Sequence, residues 1–311
     1  MSFGGEHGVR IGLSAVVMAL HDRALCVLTT GSGTELALPF GPFDPVKDRT
    51  FELSLRAFVA DQTGFRPGFV EQLYTFGDAG RASPRPTPGP ERAREVSVGY
   101  LALTGEAETA SLAEARWTPV FEIFPWEDRR NGSTPPLSPI GKLTDWAGQD
   151  ERRSARVKTL FATEPEHRWN EERALERYEL LYEAGLVAEA ARDRDRSDSH
   201  TLPGRTMVSD HRRILATGLG RLRSKLKYRP VLFELTPATF TLSGLQAAAE
   251  AVAGLTLHKQ NFRRGVERTG LVEATGLLST GTGGRPAELF RIRDADPHSG
   301  QAPGLALPAQ R

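Results

Sequence analysis

The sequence predicts an α/β chain of two domains joined by a helical segment, the second domain built from two short helices and a hairpin. Three observations predict it. Roughly the first 130 residues alternate strand-like runs with one amphipathic helix. The middle is rich in Glu, Arg, Leu and Ala and shows no strand alternation. The last part sets helix, tight turn, helix and glycine-tipped hairpin in immediate succession. At 311 residues the chain is long enough for two domains, each with its own core.

Residues 9–30, "VRIGLSAVVMALHDRALCVLTT", read as two strands broken at His21-Asp22-Arg23. "TTGSGTELALPFGPFDP" is loop with a short strand. "RTFELSLRAFVADQTGF" is a helix: Phe51, Leu55, Phe58 and Gln62 share a stripe, Val59 lies beside it, and Gly64 ends it. "FVEQLYTFGD" is a strand ending at Gly77, "RASPRPTPGPER" a proline-rich loop, and "EVSVGYLALTG" a strand. "ARWTPVFEIFPWEDR" closes an α/β domain over 8–134. In the segment 135–207, "EPEHRWNEERALERYELLYEAGLVAEAARD" predicts a long helix over 165–193 with Trp169, Leu175, Tyr178, Leu181 and Tyr182 on one face. The charged "RDRDRSDSHTLPGR" after it reads as an exposed, mobile linker.

From 208 to 293 the pattern is again helical, then extended. "SDHRRILATGLGRLRSKLKYRP" carries Leu215, Leu219, Leu222 and Leu226 at helical spacing with Ile214 beside them. Ser209 or Asp210 caps it, Arg229-Pro230 ends it, and Gly218 and Gly220 weaken it locally. "FTLSGLQAAAEAVAG" is a helix capped by Thr241 and ended by Gly254. "LHKQNFRRGVERTG" is another, capped by Thr256, and "LVEATGLLSTGTGGRPAELFRIR" is a hairpin. Residues 294–311 lack periodicity and are expected to be disordered.

Charge is divided unevenly. The chain has 40 Lys+Arg against 39 Asp+Glu, but Arg205 to Arg293 holds 15 against 6, leaving 25 against 33 elsewhere. A basic half beside an acidic half points to a nucleic-acid or anionic surface in the basic part. No apolar run approaches the roughly 20 residues of a membrane span, and the N-terminus has no export-signal pattern, so a cytoplasmic protein is expected. The single cysteine, Cys26, sits in "ALCVL" and reads as an inert core thiol. His167 and His200 have no metal-spaced partner, so no metal site is expected.

Helix, the short turn "AGLTL", basic helix and wing together predict a winged helix-turn-helix domain. The helix from about Leu257 to Thr269 then enters the major groove of double-stranded DNA. His258, Lys259, Gln260 and Asn261 stand near base edges, since Asn and Gln pair bidentately with adenine and Lys donates to guanine. Arg263, Arg264 and Arg268 lie around the later turns, where phosphate contacts fix position. Phe262, Val266 and Leu271 face the core, and Arg285 stands at the wing. Arg212, Arg213, Arg221, Arg223, Lys225, Lys227 and Arg229 on the preceding helix are surface residues or contacts to DNA flanks.

"LALPFGPFDP…LRAFVADQTGF" resembles the Nudix box, G-x5-E-x7-R-E-U-x-E-E-x-G-U, whose glutamates hold magnesium in enzymes that cleave nucleoside diphosphate derivatives. With the final glycine at Gly64, the first glycine falls on Phe43 and the first glutamate on Arg49. The Arg-Glu pair falls on Ala57-Phe58 and the Glu-Glu pair on Asp61-Gln62, so Asp61 alone keeps a carboxylate. Magnesium needs oxygen ligands, and without it little neutralises a diphosphate. A Nudix-like sandwich with no catalytic residues, no metal and no required cofactor is therefore expected.

The chain as a whole resembles the Nudix-related transcriptional regulators of bacterial NAD metabolism, the NrtR type. "EQLYTFGDAGR", "VSVGYLALT", "FPWEDRR", "DHRRILATGLGRLRSKLKYRP", "FELTPATFTLSGLQ", "NFRRGVERTGLVE" and "GGRPAELFR" carry the resemblance, over about 8–130 and 208–293. The segment from about 135 to 205 departs from the shortest members, in the manner of an alphaproteobacterial branch. The resemblance implies a repressor of NAD biosynthesis genes. Its front domain binds ADP-ribose, NAD or ATP, and a homodimer reads a palindromic operator. Arg49, Phe76, Asp78 and Arg81 are the ligand candidates. Arg49 faces a phosphate or is an exposed helix-start arginine; "TFGDAGR" offers Phe76 for adenine stacking and Asp78 and Arg81 for ribose and phosphate, or is a plain turn. Trp126 is either core or a base-stacking face. A hydrolase of a nucleoside diphosphate derivative is the alternative, and a scaffold using the 165–193 helix a third.

Overall fold

The computed structural model describes residues 8–31, 35–68, 70–78, 94–105, 115–130, 138–194, 201–228, 231–279 and 286–293. Its centre is Val9–His21 (β1), buried on both faces because Leu13, Ala15 and Val17 alternate with Ser14, Val16 and Met18. β1 runs parallel to Arg94–Thr104 (β5) from Val9↔Arg94 to Ala19↔Thr104 and antiparallel to Ala24–Thr29 (β2). Asp22 (φ 47°) and Arg23 (φ 63°) make the tight turn between β1 and β2, where the sequence predicts a break. Phe40–Pro42 (β3) pairs with β1, and Val70–Phe76 (β4) and Arg116–Pro119 (β6) form the ends of the order β4-β5-β1-β2-β6.

One face of this sheet carries Phe51–Thr63 (α1). Thr50 caps it by accepting from Leu53 N, and Gly64 ends it in the left-handed region at φ 73°. Leu55 and Val59 meet Leu13, Ala15 and Val17. The buried stripe is rotated from the expected one: Ser54 and Thr63 face inward with Leu55 and Val59, while Phe51, Phe58 and Gln62 lie half-buried on a flank.

The other face carries the helix His211–Tyr228 (α7). Ile214, Leu215, Leu219, Leu222 and Leu226 are all fully buried. The two glycines expected to weaken this helix allow close approach instead. A Cβ on Gly218 would sit 2.9 Å from Val16 Cγ1, and one on Gly220 would sit 2.6 Å from the Glu172 carbonyl oxygen. Residues 229 and 230, expected to end the helix, lie outside the described residues.

Val120–Ile123 (α2) and a 3-10 turn at Pro125–Glu127 lead into Ile140–Ala147 (α3), Glu151–Phe161 (α4), Ala174–Glu183 (α5) and Ala188–Asp193 (α6). The single helix expected over 165–193 is therefore corrected to two short ones. Gly185 takes φ 73° between them, and the Asn170 side chain accepts from Glu172 N in a turn before α5. Much of the expected mobile linker is docked: Leu202 N donates to Leu186 O (2.7 Å), and Arg205 N to Glu122 O (2.8 Å). Arg192 donates to Met207 O (3.0 Å) and Ser209 O (2.7 Å); residues 195–200 lie outside the described residues.

Thr239–Phe240 (β7), Leu242–Ala253 (α8), Lys259–Thr269 (α9), Val272–Leu278 (β8) and Glu288–Ile292 (β9) build the last unit, with sheet order β7-β9-β8. Thr241 accepts from Gly244 N (3.0 Å) to cap α8, and Gly254 (φ 69°) ends it. Thr256 does not cap α9. His258 holds the cap position, and the Thr256 hydroxyl donates to Arg130 O at 2.7 Å. Two separate cores were expected, but the larger core runs unbroken from Val16 and Met18 through α7 to Leu245 and Val252 in α8 and Phe262 and Val266 in α9. No described helix is long and apolar enough to cross a membrane. Residues 294–311 lie outside the described residues.

Candidate nucleic-acid interface and its attachment to the front domain

α9 stands on the body through Phe262 and Val266, both at most 2% exposed. At 100° per residue, Gln260, Asn261, Arg264 and Arg268 fall on the opposite, exposed face. Lys259 is also exposed, at the first turn. Arg264 Nη2 donates to Asn261 Oδ1 (2.7 Å), which fixes both side chains on that face. Arg263 is half-buried on the flank, and its Nε is shielded with no hydrogen-bond partner. Arg285 lies outside the described residues. On the wing, Arg291 and Arg293 both pair with Glu273. Amides and guanidinium groups on a convex helix face suit hydrogen bonding to base edges and phosphates.

The cations of α7 behave differently: Arg212 and Arg223 are buried, which corrects their reading as surface or DNA-flanking residues, Arg213, Lys225 and Lys227 are half-buried, and Arg221 is exposed. Arg212 is 1% exposed; Nη1 donates to Glu189 Oε2 (3.0 Å) and Nη2 to Ile123 O. Arg213 pairs with Asp78, with Glu179 (2.6 Å) and with Asp210 (3.2 Å). Lys225 and Arg221 both reach Glu71, and Lys227 reaches Glu172 (2.5 Å) and Glu171 (3.3 Å). Much of the basic segment's charge is thus neutralised within the protein, while the set on α9 faces outward.

Arg223 and Arg177 meet at Glu127, and all three are 0% exposed. Arg177 donates Nε to Oε1 (2.6 Å) and Nη2 to Oε2 (2.8 Å), and Arg223 donates Nη1 to Oε2 (2.5 Å). Burial alone would raise the Glu127 carboxyl; the charges and hydrogen bonds of Arg177 and Arg223 outweigh it and hold it below the usual range. Arg223 also donates Nε to Val252 O (2.9 Å) in the last turn of α8. Arg129 N donates to Gly254 O (2.8 Å), and a Cβ on Gly254 would collide with the Glu127 carbonyl. Residues 127–130 therefore clasp the turn between α8 and α9. Trp126, beside them, is 1% exposed beneath the Arg212 guanidinium (5.0 Å), which makes it core rather than a stacking face.

On the front domain, the box-like residues have structural partners. A Cβ on Gly41 would lie 2.6 Å from the Phe58 ring, so that ring covers β3 directly. Gln62 grips β3 by both amide atoms: Phe40 N donates to Oε1 (3.1 Å) and Nε2 donates to Phe40 O (2.6 Å). Asp61 and Arg49 are exposed. Phe76 is 2% exposed with Arg213 over its ring at 5.4 Å, so it is a core residue and not open to adenine stacking, contrary to expectation. Asp78 is engaged by Arg213, and Arg81 lies outside the described residues. A small recess of about 30 Å³ lies nearby, lined among others by Ser14, Phe40, Glu95, Ser97, Asp210 and His211; it has room for a water-sized group. None of those was among the ligand candidates. His167, expected to lack metal-spaced partners, lies beside Glu164 and Glu166 with ligand atoms within 4.8 Å of one another, and Lys158 holds Glu164 at 2.5 Å.

Two buried groups are legible as chemistry. Burial pushes the Cys26 thiol up to about 11, so it stays protonated and unreactive near neutrality. Burial, with a further push from Arg192, drives His211 down to about 4. Its Nδ1 accepts from Leu38 N (3.0 Å), which requires the neutral ring. The unfolded ring titrates near 6.5. The stability that follows is therefore present above about 6.5 and lost as pH falls toward 4. Urea unfolding should show wild-type protein losing about 2 kcal/mol from this group between pH 7 and pH 5. His211→Asn, which keeps an acceptor without titrating, should lose less than half as much over that range; an equal loss would exclude His211 as the source.

Residues 232–292 match the model of the NrtR DNA-binding winged helix domain. Over 86 residues the chain is 39% identical to the ADPR responsive transcriptional repressor NtrR of Acinetobacter baylyi, covering 28% of this chain and 34% of that protein. The match thus spans about a third of the relative's length. Shewanella oneidensis NrtR complexed with a 27mer DNA superimposes with a TM-score of 0.52 at 22% identity, over 91% of this chain and 93% of that chain. A MutT/nudix family protein from Enterococcus faecalis superimposes with a TM-score of 0.51 at 16% identity, over 94% and 90%. At these identities the structures share the fold.

Proposed function

We propose that this chain, with an NrtR-type winged helix joined to a Nudix-like front domain, is an effector-controlled repressor that binds operator DNA. The outward basic face of α9, set on α8 by the Gly254 turn, carries the proposal. Gln260 and Asn261 read base edges, while Lys259, Arg264 and Arg268 hold phosphates and Arg263 supports the flank. α9 has no side-chain cap at His258, so its first-turn amides also favour a phosphate. One helix contacts too few bases for specificity, so a homodimer reads a palindrome. The effector is ADP-ribose or another adenine nucleotide such as NAD or ATP, in keeping with the name of the Acinetobacter relative.

The front domain is non-catalytic on this proposal. Phe58 is committed to Gly41 and Gln62 to Phe40, leaving Asp61 as a lone exposed carboxylate on that helix face. Purified protein should show a raised melting temperature with ADP-ribose and salt-sensitive binding to duplex operator DNA. With magnesium, ADP-ribose should remain intact. Steady AMP release that disappears in Asp61→Ala would establish the hydrolase instead.

A further inference from the structure

α7 touches the box-like region at one end and the DNA-reading turn at the other. At its N-terminus His211 takes the Leu38 amide and packs edge-on against Phe40, ring centroids 4.8 Å apart. Phe40 is the residue whose backbone Gln62 grips from α1. At the far end Arg223 holds Glu127 and the Val252 carbonyl together. The Gly254 turn is fixed from outside its own domain, by Arg129 N on Gly254 O and by the Thr256 hydroxyl on Arg130 O. Between the ends, Gly218 lies on Val16 and Gly220 on the Glu172 carbonyl with no side chain to cushion either contact. The helix has 18 residues, or about 27 Å at 1.5 Å per residue. Close-packed contacts of this kind move between discrete arrangements rather than yield gradually.

We propose that α7 is the element through which the front domain sets DNA affinity: a shift of the Gln62–Phe40–His211 contact is carried along the helix and delivered by Arg223 to the turn that aims α9. The inference rests on the effector-controlled function proposed above. An effector drives it only by binding two arrangements of this path with different affinity. Arg223 and Thr256 are positioning residues: the first is fully buried, and the hydroxyl of the second is spent on Arg130 O.

The test is the ratio of operator affinities measured without and with saturating ADP-ribose, alongside ADP-ribose affinity of the DNA-free protein. Arg223→Lys keeps the charge but cannot span Glu127 and Val252. Thr256→Val, at an exposed site, removes only the hydroxyl, and Phe40→Leu loosens the opposite end. In each variant ADP-ribose affinity should stay within about twofold of wild type while the ratio collapses toward one. The pair Phe40→Leu/Thr256→Val should lose no more than the stronger single variant, because both lie on one path. If Arg223→Lys fails to fold, the other two decide the matter. Wild-type protein that binds neither partner, or shows a ratio of one, refutes the proposed function and the relay together. A wild-type ratio that survives in folded Thr256→Val and Phe40→Leu overturns the relay alone.

Discussion

Glu127→Ala is expected to lower folding stability by about 3–5 kcal/mol, the usual consequence of removing one partner from a buried ion pair. Here two guanidinium groups, both fully buried, lose their carboxylate at once. Domains are stable by only about 5–15 kcal/mol, so the loss takes a large share of the total. Glu127→Gln should fall between wild type and alanine, since one carbonyl oxygen remains to accept. Replacing Glu127, Arg177 and Arg223 together with apolar residues should recover part of the deficit, as desolvated charge is removed. Recovery stays partial because the Asn170 and Val252 carbonyls lose their donors. Urea unfolding at neutral pH reads all three variants. A loss below about 1 kcal/mol for Glu127→Ala would show that the guanidinium groups find other acceptors.

Arg264→Ala/Arg268→Ala is expected to weaken operator binding by about thirtyfold or more, taking about 1–3 kcal/mol per guanidinium. Where those groups meet phosphates, the slope of log affinity against log salt should flatten by roughly two. Both residues are exposed, so the melting temperature should hardly move. Lys227→Ala serves as the control: its ammonium is already held by Glu171 and Glu172, and DNA affinity should stay near wild type. Fluorescence anisotropy across a salt series distinguishes the variants. Equal sensitivity of Lys227→Ala and the α9 pair would show a diffuse electrostatic field rather than a defined reading face.

What the sequence disclosed was mostly local. Thr50 with Gly64 and Thr241 with Gly254 bracket their helices as their types require. The leucine stripe of α7 and the Phe262–Val266 stripe of α9 follow from helical period alone. The destination of each cation was not legible. Arg212, Arg223 and Arg264 look alike in the chain, and only packing separates two buried ions from one exposed one. The partners of Glu127 lie 50 and 96 residues away, beyond any spacing rule. The expected helix over 165–193 failed for a related reason, since Arg177 draws the Asn170 and Glu171 carbonyls toward itself from a non-helical segment. For the box-like region, absence of carboxylates was readable at Phe58 and Gln62, whereas their partners, Gly41 and Phe40, were not. Phe76 looked available at a strand end and lies under Arg213 instead.

The Phe58–Gly41 contact limits which substitutions this helix can accept. A bare backbone at position 41 accommodates an aromatic ring at 58, and β3 is held in place by the amide at 62. A glutamate at 58 would strip cover from β3 and set a charge against it; one at 62 would remove the donor to Phe40 O. Each single acidic substitution therefore loosens the strand before any cation site is complete. Positions 41, 58 and 62 therefore act as one unit, and an acidic cluster on this helix would require coordinated change at all three rather than one substitution.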